Sequence, residues 1–292
     1  MRIEYDQNYG YVSDAWKQYF QGSSCSAGAA GKRYFYHDKV WTNDIDHVCI
    51  DLLPMQNAQA VSTLIGLSGG NVISGDRLMN LAQSKTEILK KILPATIEQG
   101  KPVDLYDSDP QTVFACKIKR KFAEWDLVAF FNPDLIKSVN KKFSFDRLWL
   151  DSNKTYLCFD FWNEKFIGEI SKNIDVTINP GSVVLYSLHE KVSFPIIIST
   201  NRHIKQGAVE IEDTYFDSEK NILHCTSVSP VGSSHSVFVY VPGPFGWIPE
   251  NGKIYQYNKD FTIRSVDKNL LRVDLTFTDS DKKEWSIDFR KY

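Results

Sequence analysis

The chain has 292 residues, 42% of them hydrophobic, enough to bury more than one core. Thirty-four basic and thirty-six acidic side chains leave a formal net charge of −2, so charge gives no case for nucleic acid or an anionic membrane as partner. No apolar run approaches the roughly 18 residues of a spanning helix, and the charged, aromatic first residues do not read as a signal peptide.

The first strand candidate is Arg2-Ile-Glu-Tyr-Asp6, followed by the turn cue Asn8-Tyr-Gly10 and by Ser13-Asp14, an N-cap for a helix over Ala15–Phe20. The run Ser26-Ala-Gly-Ala-Ala-Gly31 is expected to break or crowd that helix, with a second helical piece over Lys32–His37. Val40-Trp41 then enters an acid-rich loop, Trp41-Thr-Asn-Asp-Ile-Asp46. Apolar residues at helical spacing predict a helix over Asn57–Leu67, stopped by Gly69-Gly70. Asn71–Ser74 reads as a short strand, and Leu78–Leu93 as an amphipathic helix ended by Pro94, with Asp76 as its N-cap.

The texture changes near Gln99–Pro102. Beyond it, Val113–Lys119, Asp126–Phe131, Thr155–Asp160 and Ser182–Ser187 read as strands separated by turns rich in Asn, Asp, Gly and Pro. A second group follows: Ala208–Ile211, Ile222–Cys225, Ser236–Val241, Leu271–Phe277 and Glu284–Phe289. Two small antiparallel sandwiches in tandem fit these strands better than one large sheet. His203, isolated in this β region, reads as structural. The five cysteines are dispersed, with no CxxC and no short Cys/His spacing, which argues against a disulfide framework and a zinc site. Aromatic content of 13% suits a sugar cleft and an aromatic β core equally.

Three polar, acid-bearing segments sit where a strand candidate meets a helix: Arg2–Asp6, Trp41–Asp46 and Ser74-Gly75-Asp76. That is the rhythm of a βα barrel, whose strand ends deliver functional side chains to one rim. Read without further context, Arg2 and Asp6 form a surface ion pair, Asp44 and Asp46 a turn-forming cluster, and Trp41 a core or rim aromatic.

Arg2-x-x-x-Asp6 and Asn43-Asp44-x-Asp46, with Ser13-Asp14-Ala15-Trp16 between them, resemble the C-terminal half of the α-galactosidase (melibiase) superfamily, glycoside hydrolase families 27 and 36. Leu67-Ser-Gly-Gly70, Ser74-Gly-Asp-Arg-Leu78 and Leu81 resemble that family's eighth barrel unit. Val103-Asp-Leu-Tyr-Asp107, Glu124–Asn132 and Asp160-Phe161-Trp162 resemble the opening of its C-terminal sandwich. Thr42 is inserted between the Trp and the Asn of the family motif, and Ile45 replaces its Pro. Together with the strand pattern, the resemblance, which reaches to about residue 190, implies a mixed α/β plus all-β chain: residues 1–97 as the last three βα units of a TIM-type barrel, followed by two antiparallel β-sandwich domains, 98–196 and, from the strand pattern alone, 197–292.

A retaining glycosidase needs a nucleophilic carboxylate and a second carboxyl that protonates the leaving oxygen, about 5 Å apart. By the resemblance, Asp6 is the general acid/base. Arg2, four residues earlier on the same strand face, holds sugar hydroxyls by charge-assisted hydrogen bonds. Asp46 and His47 contact the sugar, Asp44 braces the loop, and Trp41 joins them as a substrate-binding candidate. The family's nucleophile lies on the fourth barrel strand, so the 292 residues are expected to be the C-terminal portion of an exo-acting α-galactosidase-like hydrolase, inactive alone. The missing barrel half is expected on a separate polypeptide or through homo-oligomerisation. Neither metal nor organic cofactor is implied, and the ligand is a terminal α-linked sugar. The alternative is a non-catalytic carbohydrate-binding or structural β-sandwich protein with a vestigial barrel end.

Overall fold

A computed structural model describes residues 16–22, 25–243, 245–246, 255–258 and 261–292. Arg2, Asp6 and the Ser13-Asp14 cap lie outside the described residues. The described chain is mostly β, with few helices: residues 16–20, α1 (Ser26–Lys32), α2 (Met55–Leu67) and α3 (Gln83–Lys90). The first eight strands are β1 (Lys101–Pro102), β2 (Val113–Lys119), β3 (Glu124–Phe131), β4 (Val139–Ser144), β5 (Thr155–Asp160), β6 (Lys165–Ser171), β7 (Asn173–Ile178) and β8 (Val183–Glu190). Then come β9 (Ile196–Thr200), β10 (Ile211–Asp217), β11 (Ile222–Val228), β12 (Ser234–Tyr240), β13 (Phe245–Gly246), β14 (Tyr255–Asn258), β15 (Phe261–Asp267), β16 (Leu270–Thr276), β17 (Lys282–Asp288) and β18 (Arg290–Lys291). One six-stranded sheet runs in the order β1-β2-β3-β8-β5-β6.

The chain divides into two compact units. The first comprises residues up to 117, 127–151 and 173–185. Its helical segment 16–20 buries Trp16, Tyr19 and Phe20, each 1% exposed. Phe20 meets Phe131 at 5.3 Å between ring centroids, and Trp16 Nε1 donates to the Pro133 carbonyl at 2.8 Å. Asn57 of α2, itself buried, donates to the Gly181 carbonyl at 2.9 Å. The β4–β7 pair is antiparallel, and β7 alternates exposed and buried residues strictly, as a strand with one wet face must.

Five local expectations are corrected in this unit and the next. The Gly/Ala run does not break or crowd a helix but is one, α1, followed by a 3-10 turn over Tyr34–Tyr36. Small side chains allow close approach: a Cβ on Gly31 would lie 2.5 Å from Gln111 Oε1. The helix predicted from Leu78 begins only at Gln83. Residues 78–80 turn, with Asn80 N–H bonded to the Arg77 carbonyl, and leave Leu78 and Met79 in solvent. Asp76 is therefore not its cap; Ala82 stands at that position. Asn71–Ser74 is not a regular strand but makes a single parallel bridge, Ser74 to Val48.

The second unit comprises residues 118–126, 152–172 and 186–292. It holds a five-stranded sheet, β14-β15-β16-β12-β9, and a three-stranded sheet, β10-β11-β17. Leu223 and Cys225 of β11, Trp285 and Ile287 of β17, Val237 and Val239 of β12, and Val273 and Leu275 of β16 share one core. Strands of the two sheets thus contribute side chains to a common core. The strand expected over Ala208–Ile211 starts only at Ile211. Residues 204–210 turn instead, because Gly207 takes φ +106° and the buried Glu210 carboxylate accepts the N–H groups of Gly207 and Val209, both at 3.2 Å. His203 is buried, and its Nδ1 accepts from Lys205 N–H at 3.1 Å.

Candidate functional site

The loop from Trp41 to Cys49 lies in the first unit and is fixed from below by backbone packing. Asn43 is buried; its N–H donates to His37 Nδ1 at 3.0 Å and its carbonyl accepts from Asn71 N–H at 3.0 Å. With Nδ1 accepting, His37 Nε2 carries the proton and meets the Ile97 carbonyl at 3.3 Å. Gly70 sits directly against Asn43, where any Cβ would fall 1.7 Å from the Asn43 carbonyl oxygen. Ile45, standing where the resembling motif has Pro, is 6% exposed and anchors the loop in the core.

Above that anchor the polar groups brace one another. Asp44 Oδ1 accepts from Asp46 N–H at 3.0 Å, the short-range bond by which Asp forms turns. Asp46 takes φ +84°, a backbone region uncommon outside glycine. Its carboxylate is held three ways: Oδ1 accepts from His47 N–H at 2.8 Å and contacts His47 Nδ1, and Oδ2 accepts from Gln18 Nε2 at 2.7 Å. Burial pushes the Asp46 carboxyl up, but the His47 backbone and imidazole and the Gln18 amide outweigh it, and the net direction is down. Asp46 is therefore an ionised acceptor at neutral pH and unsuited to proton donation.

His47 is fixed at its backbone by Tyr19, whose hydroxyl donates to the His47 carbonyl at 2.8 Å and accepts from Cys49 N–H at 3.3 Å. Burial raises the Tyr19 phenol, which stays protonated for this work. A Cβ on Gly75 would meet His47 Cδ2 at 2.2 Å and Cys49 Sγ at 2.6 Å, so only glycine lets the imidazole lie on that backbone. Asp76, next along, accepts from the N–H groups of Ile50 at 2.8 Å and Asp51 at 3.3 Å. It thereby ties the turn before α2 to the third acidic segment. Burial raises its carboxyl, opposed by those two N–H groups.

Trp41 is half exposed and packs at a tilt against Tyr36, ring centroids 4.5 Å apart, and Tyr36 packs likewise against Phe35 at 4.2 Å. The loop thus sets an ionised carboxylate beside an exposed imidazole, with an aromatic face in the same segment. Such groups suit a polyol, whose hydroxyls both donate and accept while its C–H faces lie on rings. The structure brings Asp44, Asp46 and His47 together; Arg2 and Asp6 lie outside the described residues. Gln18 and Tyr19 were missed by sequence reasoning, since a Gln and a Tyr on an aromatic helix carry no motif. Among the described residues no group of three or more His, Cys, Asp or Glu gathers to hold a metal ion, and no helix is long and apolar enough to cross a membrane.

No protein-family model and no curated protein matches the sequence. Among solved structures, the chain is similar to α-galactosidase I from Mortierella vinacea, at 13% identity and TM-score 0.46, over 56% of this chain and 43% of that one. It is also similar to a family 27 β-L-arabinopyranosidase from Geobacillus stearothermophilus in complex with arabinose, at 13% and 0.48, over 57% and 42%. A third is the α-galactosidase from Saccharomyces cerevisiae, at 14% and 0.47, over 59% and 53%. The likeness to α-galactosidase-superfamily structures is thus partial, and the chain spans about half the length of these enzymes or less.

Proposed function

We propose that the chain is the C-terminal portion of a retaining exo-glycosidase acting on terminal α-galactosides or related sugars. Residues 1–97 would form the end of its catalytic barrel, and antiparallel β-sandwich structure would follow. The observation that carries the reading is the loop Asp44–Asp46–His47 leading into Val48, which pairs in parallel with Ser74 across helix α2. Parallel pairing needs a crossover, and a helical crossover is the repeating unit of a βα barrel. The acids of both segments then fall beside that pairing, in the order of the family motifs.

In this reading Asp46 and His47 bind sugar hydroxyls, Asp44 holds their loop, and Trp41 offers a ring face. Asp6 protonates the leaving oxygen, and Arg2 orients the sugar beside it. A partner carboxylate from barrel strands outside these residues supplies the nucleophile. Asp46 cannot replace Asp6 as the acid because its neighbours keep it ionised.

The test is hydrolysis of a panel of 4-nitrophenyl glycosides. The 292 residues alone are expected to turn over none of them, because the covalent intermediate cannot form without its carboxylate. A longer chain carrying the upstream barrel strands is expected to cleave the α-galactoside. Turnover by the 292 residues, abolished by Asp6→Asn, would reveal a nucleophile within them and overturn the assignment. In the longer chain, Asp6→Asn should slow poor leaving groups far more than 4-nitrophenolate, about 100-fold or more, since only they need the proton. Equal losses for both classes would remove Asp6 from the role.

A further inference from the structure

The second unit holds a cavity of about 560 Å³ for which the glycosidase reading has no use. Trp125, Phe194, Ile197, Ile211, Phe216 and Leu223 are among the residues that wall it. Trp125 lies flat against the His189 imidazole, centroids 5.5 Å apart and planes at 12°. Phe194 and Phe216 stack in the same manner at 5.6 Å. The lining is therefore largely apolar and shaped by flat rings.

Two buried polar side chains interrupt it, His189 at 6% exposure and Gln206 at 1%, and both line the cavity. The Nε2 atoms of both have no hydrogen-bond partner among the described residues. The Ile198 carbonyl accepts from His189, and with Nε2 unpartnered that bond comes from Nδ1–H. Nε2 is left as a bare acceptor. Gln206 Oε1 accepts from Ser199 Oγ at 2.8 Å, which orients the amide and leaves its Nε2 as a bare donor. Burial holds the imidazole neutral, with its pKa lowered to about 3. Orphaned buried polar atoms are rare and costly, and an apolar pocket with a few convergent polar groups is the common form of a ligand site.

We propose that this cavity binds a small, mainly apolar molecule bearing a hydroxyl group, the hydroxyl donating to His189 Nε2 and accepting from Gln206. One donor and one acceptor are what a single hydroxyl complements. A sugar fits poorly: it brings a hydroxyl on nearly every ring carbon, and most would be buried here without partners. Water alone is a poor match for the space, since each molecule occupies about 30 Å³ and the apolar walls offer it nothing. Glu124 and Glu190, which also line the cavity, already pair with Lys119 at 3.2 Å and Lys154 at 2.7 Å, so no charge calls for an ionic ligand.

The experiment is calorimetric titration of the 292-residue chain with 2-naphthol, with its methyl ether 2-methoxynaphthalene, and with methyl α-galactopyranoside. The naphthol is expected to bind at least about tenfold more tightly than the ether, which cannot donate to His189. His189→Phe keeps a stacked ring on Trp125 and should erase that preference while both ligands still bind. Ile197→Trp fills the space and should abolish both. Equal affinity of naphthol and ether for the unaltered chain, no binding of either, or tighter binding of the galactoside would each overturn the proposal. That comparison needs no variant to fold, and its readout is binding, so it stands or falls separately from the glycosidase reading.

Discussion

Between pH 5.5 and pH 4, two buried imidazoles of the second unit, His189 and His235, are expected to draw about two protons into the unfolding transition. His189 and His235 are 6% and 5% exposed, and each has its pKa lowered to about 3. Burial is the main cause in both; the Ile198 carbonyl opposes it at His189, and Arg202 adds to it at His235. His235 stacks on Phe277 at 5.2 Å, and neither of its ring nitrogens has a partner among the described residues. A folded pKa below the unfolded one means stability is complete above about 6.5 and falls as the unfolded chain binds protons the folded chain refuses. The loss is about 1.4 kcal/mol per histidine per pH unit, or about 4 kcal/mol for the pair across that interval. Glu210 and Asp160, whose carboxyls burial raises, act in the opposite sense, so the measure is a difference between proteins. In urea unfolding at stepped pH, His235→Leu should reduce the pH slope of stability by about one proton. An unchanged slope would mean that His235 is protonated in the folded state.

Gly70→Ala is expected to destabilise the first unit by about 3 kcal/mol or more and to open the loop that carries Asp44, Asp46 and His47. The added methyl would meet backbone, not a flexible side-chain end, at 1.7 Å from the Asn43 oxygen and 2.5 Å from its carbonyl carbon. Relief requires residues 43 and 70 to separate, which breaks the Asn71 N–H bond to Asn43 at 3.0 Å. The His37–Asn43 bond is strained by the same movement. Denaturant unfolding measures the first effect. Stability within about 0.5 kcal/mol of the parent would show that the two segments do not approach as described.

Strands with alternating or continuous apolar residues and polar turns on both sides were legible: Val113–Lys119 and Thr155–Asp160 coincide with β2 and β5. Helix α2 was legible for the same reason, its apolar residues recurring at helical spacing. What escaped depended on contacts distant in the chain. The Gly/Ala run looks weak by propensity, yet α1 forms because it packs closely against Gln111. Ala208–Val209 looks extended, yet Glu210 claims the backbone N–H groups that a sheet would use. In the site, the Asp44–Asp46 brace was readable from Asp-rich turn chemistry two residues apart. Gln18 reaches Asp46 from 28 residues earlier, a distance no local pattern encodes.

The five thiols give the molecule a clock of its own. All are free, and only Cys49 is not fully buried. Burial raises Cys25, Cys49, Cys158 and Cys225, Cys49 to about 11 and Cys158 well above the usual value, so these four present almost no thiolate to an alkylating reagent in the folded chain; Cys116 is shielded by burial. Modification then waits on opening. Cys25 and Cys116 lie in the first unit, Cys158 and Cys225 in the second. The rates at which iodoacetamide reaches each pair would therefore time the opening of the two units separately, in a single sample and without an introduced label.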